Sequence, residues 1–166
     1  VVLLLASAYP IAATGIRLDA RFEGHPAGLT LDANAWMEYG TVTLTDGTVI
    51  SFDEDRDVIE WFNDEVGGTP VIAEASFEPY RCNSSRISIG TGLPSVLGWQ
   101  RHESQQRYPD VLPPRYEDLR ALYGSDSVDE KLAIIDRYDI HYIVVGDMER
   151  SYPMVFGNDC VPMSEL

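Results

Sequence analysis

Lysine is almost missing from this chain: of 12 basic residues only Lys131 is lysine, and the other eleven are arginine. Against them stand 27 acidic residues, for a formal net charge of −15. A surface that acidic repels phosphate at long range and no Lys/Arg cluster offsets it, which excludes nucleic acid as a partner. Two readings of the acidity stand: adaptation to high salt, where screening relieves the self-repulsion, and an ordinary acidic protein. Cysteine is scarce as well. Cys82 and Cys160 are the only two, and with no C-x-x-C and no grouped histidine they argue against zinc. They either pair, as an oxidising compartment permits, or stay as two partly buried thiols. A long apolar run is also absent. Residues 1–13, VVLLLASAYPIAA, fall short of the roughly 20 that a membrane-spanning helix needs, and no basic segment precedes them as in a secretory signal. There is no internal repeat, coiled coil or low-complexity tract.

What is present reads as a globular chain. The 45% hydrophobic and 23% charged fractions over 166 residues suit one domain with its own core. Leu31 to Tyr39 predicts a short helix from Asp32, with Trp36 and Met37 turned inward. TVTLTDGTVISF (41–52) predicts a hairpin with a type I′ turn at Asp46-Gly47. Ser51-Phe52-Asp53-Glu54 resembles a capping box opening a helix to about Val66, with Val58, Ile59, Phe62 and Val66 as its apolar stripe. Gly67-Gly68 end that helix. PVIAEA (70–75) reads as a buried strand, with Glu74 near the C-terminal edge where ligands of α/β sheets bind.

Arg17 to Gly28 reads as a surface loop, Phe77 to Ser85 as irregular, and Tyr108 to Arg115, with three prolines, as an extended connection. Tyr116, Leu119, Leu122 and Tyr123 suit a short amphipathic helix ended by Gly124. Ser127-x-x-Glu130 is a second capping box, before a helix with Val128, Leu132, Ile135 and Tyr138 on one face. IHYIVV (140–145) reads as a buried strand. A helix followed by a strand, seen twice, predicts an α/β fold: a small, mainly parallel sheet with covering helices and a β-hairpin, in a single domain.

The stretch from Arg86 to Arg107 concentrates polar, aromatic and glycine residues that no simple element requires. Arg86 to Ile89 alternates like a short strand, Gly90, Gly92 and Pro94 interrupt it, and Gln100 to Gln106 suits one or two helical turns. Arg86 and Arg107 offer planar forks of donors for an anionic or hydroxyl-rich group, and Trp99 a broad face for a sugar or lipid-linked headgroup. Glu74, His102 and Glu103 would complete the hydrogen bonding. The competing reading is a structural network of Arg86, Arg107, Glu74 and Glu103 that pins the loop. No metal and no cofactor is expected: His102-Glu103 lacks the second histidine of H-E-x-x-H, its place being taken by Gln106. Ser88 or Ser95 with His102 lies in no G-x-S-x-G elbow. Asp147, Glu149 and Arg150 form a second set after the last strand, or else a solvated helix start.

The same residues carry a family resemblance. TGLPSVLGW (91–99) followed by HESQQR (102–107) resembles the TGLPTVLGW-x-x-HE-x-Q-x-R signature of the Chlor_Arch_YYY family, multi-pass membrane proteins of archaea and Chloroflexi. The likeness extends to AYPIAATGIRL, TLDANAWM, the Trp61 helix with PVIAEA, and YIVVGDMERSYP. The family's layout is similar to GT-C membrane glycosyltransferases, with many spans followed by a soluble extracytoplasmic domain. The resemblance implies that residues 1–15 are the outer end of a transmembrane helix, the competing reading being a buried first element. Residues 16–166 would then be the soluble extracytoplasmic domain at the cell membrane. Such a domain would help to bind a lipid-linked sugar or a glycan beside its own transmembrane region, and would not be catalytic alone, since that superfamily keeps its catalytic carboxylates in loops between the spans. The alternative is a non-enzymatic glycan- or protein-binding module of a cell-envelope assembly. A self-contained hydrolase would need a complete nucleophile or metal constellation.

Overall fold

The computed structural model describes residues 7, 10–17, 30–76 and 82–152. The chain divides into two compact units, Val1–Trp36 and Met37–Leu166. In the first, Ser7 and residues 10–17 are helical (α1); the expected loop from Arg17 to Gly28 lies, but for Arg17, outside the described residues. No described helix is long and apolar enough to cross a membrane. At the junction, the Asn34 amide donates to Asp32 Oδ1 (2.8 Å). This local turn competes with helix formation, and only a 3-10 turn follows, at Ala35–Glu38. Met37 is buried, as expected, whereas Trp36 is 37% exposed.

Among its described residues the second unit mixes helices with two small sheets. β1 (Thr41–Thr43) pairs antiparallel with β2 (Val49–Ser51), which is the expected hairpin. Its turn differs from type I′. Gly47 alone has positive φ (+87°), and its amide donates to the Leu44 carbonyl. Asp46 instead uses its carboxylate to accept the Thr48 amide at 2.8 Å. The result is a three-residue loop with a left-handed glycine rather than a two-residue one. α2 (Asp53–Glu65) follows, with Phe52 at its N-cap and no side-chain cap. The expected Ser51–Glu54 box does not form, because Ser51 Oγ accepts the Asp53 amide (3.4 Å), one residue short of the position a cap serves.

β3 (Val71–Ala73) pairs parallel with β4 (Ile140–Ile143). On its other side Ile72 bridges Ser95, through bonds to Pro94 and Val96. The parallel element therefore exists as a two-stranded sheet separate from the hairpin, smaller than the mainly parallel sheet expected. β4 also departs from the buried reading: Ile140 and Val144 are buried, but His141, Ile143 and Val145 are exposed. That alternation marks a strand with one wet face.

Arg86–Thr91 is a helix (α3), not the short strand that four alternating residues suggest. Gln100–Gln106 is the expected helix (α4). α5 (Leu112–Gly124) begins four residues earlier than expected, since Pro113 and Pro114 occupy its first turn, where a missing N–H costs nothing. α6 (Val128–Tyr138) is capped by Ser127, whose Oγ accepts the Glu130 amide. Asp118 ties α5 to α6 by accepting from both Arg137 and Tyr138 at 2.6 Å. α7 (Asp147–Arg150) follows β4 directly. The core between these elements holds Phe52, Ile59, Ile72, Ile87, Leu97, Leu119, Met148 and Tyr152.

Candidate functional site

The parallel strands β3 and β4 end side by side, and the chain places charge there. Glu74 follows β3 directly and is fully buried. Its two oxygens accept the amides of Ile87 (2.9 Å) and Ser88 (3.0 Å), so it caps the first turn of α3. That cap, with the left-handed turn at Cys82, Asn83 and Ser85, makes 86–91 helical. Glu149 on α7 accepts the Ala75 amide through Oε1 (3.0 Å) and the Gly146 amide through Oε2 (3.0 Å). Between them lies Arg86, its side chain 2% exposed. Arg86 Nη2 reaches Asp55 Oδ1 at 2.8 Å and both Glu149 oxygens at 3.1 Å, while Nε and Nη1 have no hydrogen-bond partner among the described residues.

Three buried carboxylates thus surround one guanidinium, and burial is the first cause acting on Asp55 and Glu74. Burial pushes Asp55 above the usual carboxylate range despite Arg86, with Glu149 and Asp147 adding to it. Burial likewise raises Glu74 against the pull of Arg86 and of the two amides it accepts. For Arg86 itself burial opposes the charge, but Glu149, Asp55 and Glu74 outweigh it and hold the guanidinium above the ordinary arginine range. Tyr123 donates to the Val144 carbonyl (3.1 Å) and is raised by burial and then by Glu149 and Glu74.

The six residues singled out from sequence fall into three places. Arg86 and Glu74 are in the buried cluster. Trp99 is half-buried, donates its indole N–H to the Ser84 carbonyl (2.7 Å) and lies 5.3 Å from the exposed His102 ring, tilted by 31°. Glu103 accepts the Gly98 amide (2.7 Å) and pairs with Arg107 (2.7 Å), which is half exposed. The expected four-residue network therefore splits: Arg86 pairs with Asp55 and Glu149, and Arg107 with Glu103. Of the second set, Glu149 is a direct partner of Arg86, whereas Asp147 and Arg150 are exposed. Asp55 was missed. Its signal was present, since Asp55, Ile59 and Phe62 share one helical face and an acid in an apolar stripe needs a partner.

Beside the cluster, α2 and the end of β4 enclose a pocket of about 280 Å³. Asp55, Val58, Trp61 and Phe62 form one wall, Tyr142 to Gly146 another, with Glu54 and Asp147 also lining it. Trp61, Phe62 and Tyr142 meet edge to face at 5.1–6.0 Å, and Trp61 is 49% exposed. Asp55 belongs to both pocket and cluster. Among the described residues no group of three His, Cys, Asp or Glu could hold a metal ion. Cys82 is disulfide-bonded; Cys160 lies outside the described residues. Comparison with known family models, curated proteins and solved structures finds no match to this chain.

Proposed function

We propose that this chain is the soluble extracytoplasmic domain of a membrane glycosyltransferase-like protein, which holds the sugar part of a lipid-linked donor or of an acceptor and catalyses nothing alone. The observation that carries the reading is the pocket between α2 and β4. An aromatic wall offers a surface to the apolar face of a sugar ring, and carboxylates at its edge accept hydroxyl donors. The resemblance of TGLPSVLGW and HESQQR supplies the membrane context, and a disulfide at Cys82 is the state that an oxidising compartment maintains. This reading moves the ligand from the Arg86–Arg107 stretch to the neighbouring groove, because Arg86 is enclosed by acids. The buried cluster then has a supporting role: it fixes Asp55 and Gly146, which line the groove.

The test is a binding screen of the purified chain against soluble glycans and polyprenyl-phosphate sugars. Trp61→Ala is expected to weaken binding about tenfold, the scale of one lost aromatic contact. Trp99→Ala, whose indole is bonded to Ser84, is expected to leave binding intact. Loss in Trp99→Ala and not in Trp61→Ala would return the site to the sequence-predicted stretch. One observation favours the alternative of a protein-binding module, namely that the aliphatic side chains of Ile143 and Val145 are exposed beside the same groove. Under that reading no glycan binds and the full-length protein shows no transfer.

A further inference from the structure

We infer that the groove between α2 and β4 selects a protonated amine, and that its occupant is an amino sugar held by Asp55. The inference rests on the glycan reading above and adds to it the charge of the ligand. Asp55 faces two ways: its Oδ1 pairs with Arg86 at 2.8 Å, and the side chain, only 9% exposed, lines the pocket. A carboxylate with so little exposure is poorly hydrated, and the pocket it lines is a side from which a ligand's donor can reach it. Glu54 and Asp147 line the same pocket, and among the described residues no lysine or arginine does. Arg86, behind Asp55, is shared with Glu149, and Arg150 stands exposed, 3.4 Å from Asp147. The field in the groove is therefore negative. It repels phosphate and uronic acid and strengthens a bond from a donor carrying full positive charge.

The remaining wall is aromatic, which suits the carbon face of a pyranose and also an ammonium near a ring. A volume of about 280 Å³ lies just below the range of drug-sized pockets and admits one sugar ring.

The experiment titrates the 166-residue chain with glucosamine, N-acetylglucosamine, glucose, glucuronate and a lysine-containing tripeptide, at the lowest salt that keeps it folded. Calorimetry and tryptophan fluorescence are the readouts. Glucosamine is expected to bind about tenfold tighter than N-acetylglucosamine, as a charge-assisted bond requires, with glucuronate weakest. Asp55→Asn is expected to abolish that preference. Since Asp55→Asn also removes a partner of Arg86, Asp147→Asn is measured beside it, with circular dichroism as the folding check; at this exposed position the amine preference falls and the fold stays. Equal affinity for the four sugars overturns the amine selection and leaves the glycan reading standing. A folded chain that binds none of them overturns both. A tripeptide that binds more tightly than glucosamine overturns the amino sugar as occupant.

Discussion

Arg86 shows how one side chain can hold three acids in an interior that would otherwise reject them. Removing it leaves Asp55 and Glu149 buried without their cation, a loss much larger than the net worth of the ion pair. Arg86→Met is expected to destabilise the fold by about 3–5 kcal/mol, read as a lowered denaturant midpoint; a loss below about 1 kcal/mol would mean that water already reaches the cluster. The acids carry a pH signature of definite sign. Asp55 and Glu74 bind protons more tightly folded than unfolded. Between the ordinary carboxylate pKa of about 4 and their raised folded values, the native state holds the extra protons, so their contribution to stability falls as pH rises. Comparing wild type with Glu74→Gln across that window isolates one share of the slope, and the variant is expected to show the flatter decline. A steeper decline in Glu74→Gln would contradict the direction assigned to Glu74.

Between elements, the contact of α2 with α3 depends on an absent side chain. A Cβ added at Gly90 would lie 2.6 Å from Ile59 Cδ1 and 2.9 Å from its Cγ2, and Asn63 closes the same contact by donating to the Gly90 carbonyl at 3.3 Å. Two effects of Gly90→Ala oppose each other. Helix propensity favours alanine by about 1 kcal/mol, whereas overpacking a full core costs about 1–3 kcal/mol. Ile59 is buried and has no room to retreat, so overpacking wins and a net loss of about 1 kcal/mol is expected. In an Ile59→Ala background the clash is gone and the same substitution should become neutral or stabilising. A double-mutant cycle by chemical denaturation checks this reversal of sign, and additive effects would refute the steric account.

At the scale of the molecule, charge dominates. A formal −15 on 166 residues sets most surface groups against one another at low ionic strength, and screening within about 10 Å at 0.1 M salt relieves that repulsion. Thermal melts by circular dichroism are expected to shift upward from low to molar salt. Full folding with unchanged melting in the absence of salt would remove the high-salt reading of the acidic surface.

Local pattern was enough to place the hairpin, α2, β3, α4, α6 and β4, because turn residues, caps and apolar periodicity act within a few residues of one another. Even the position of Glu74 at a strand's C-terminal end was legible. Contacts distant in sequence decided the rest. Arg86 to Ile89 coils into a helix because Glu74, from another element, accepts two of its amides. Arg86 turns inward because Asp55 and Glu149 arrive from α2 and α7. Arg107, the other arginine proposed for the same role, stays at the surface with Glu103. A charged side chain can be buried only where partners converge in space, and a one-dimensional pattern does not specify that convergence.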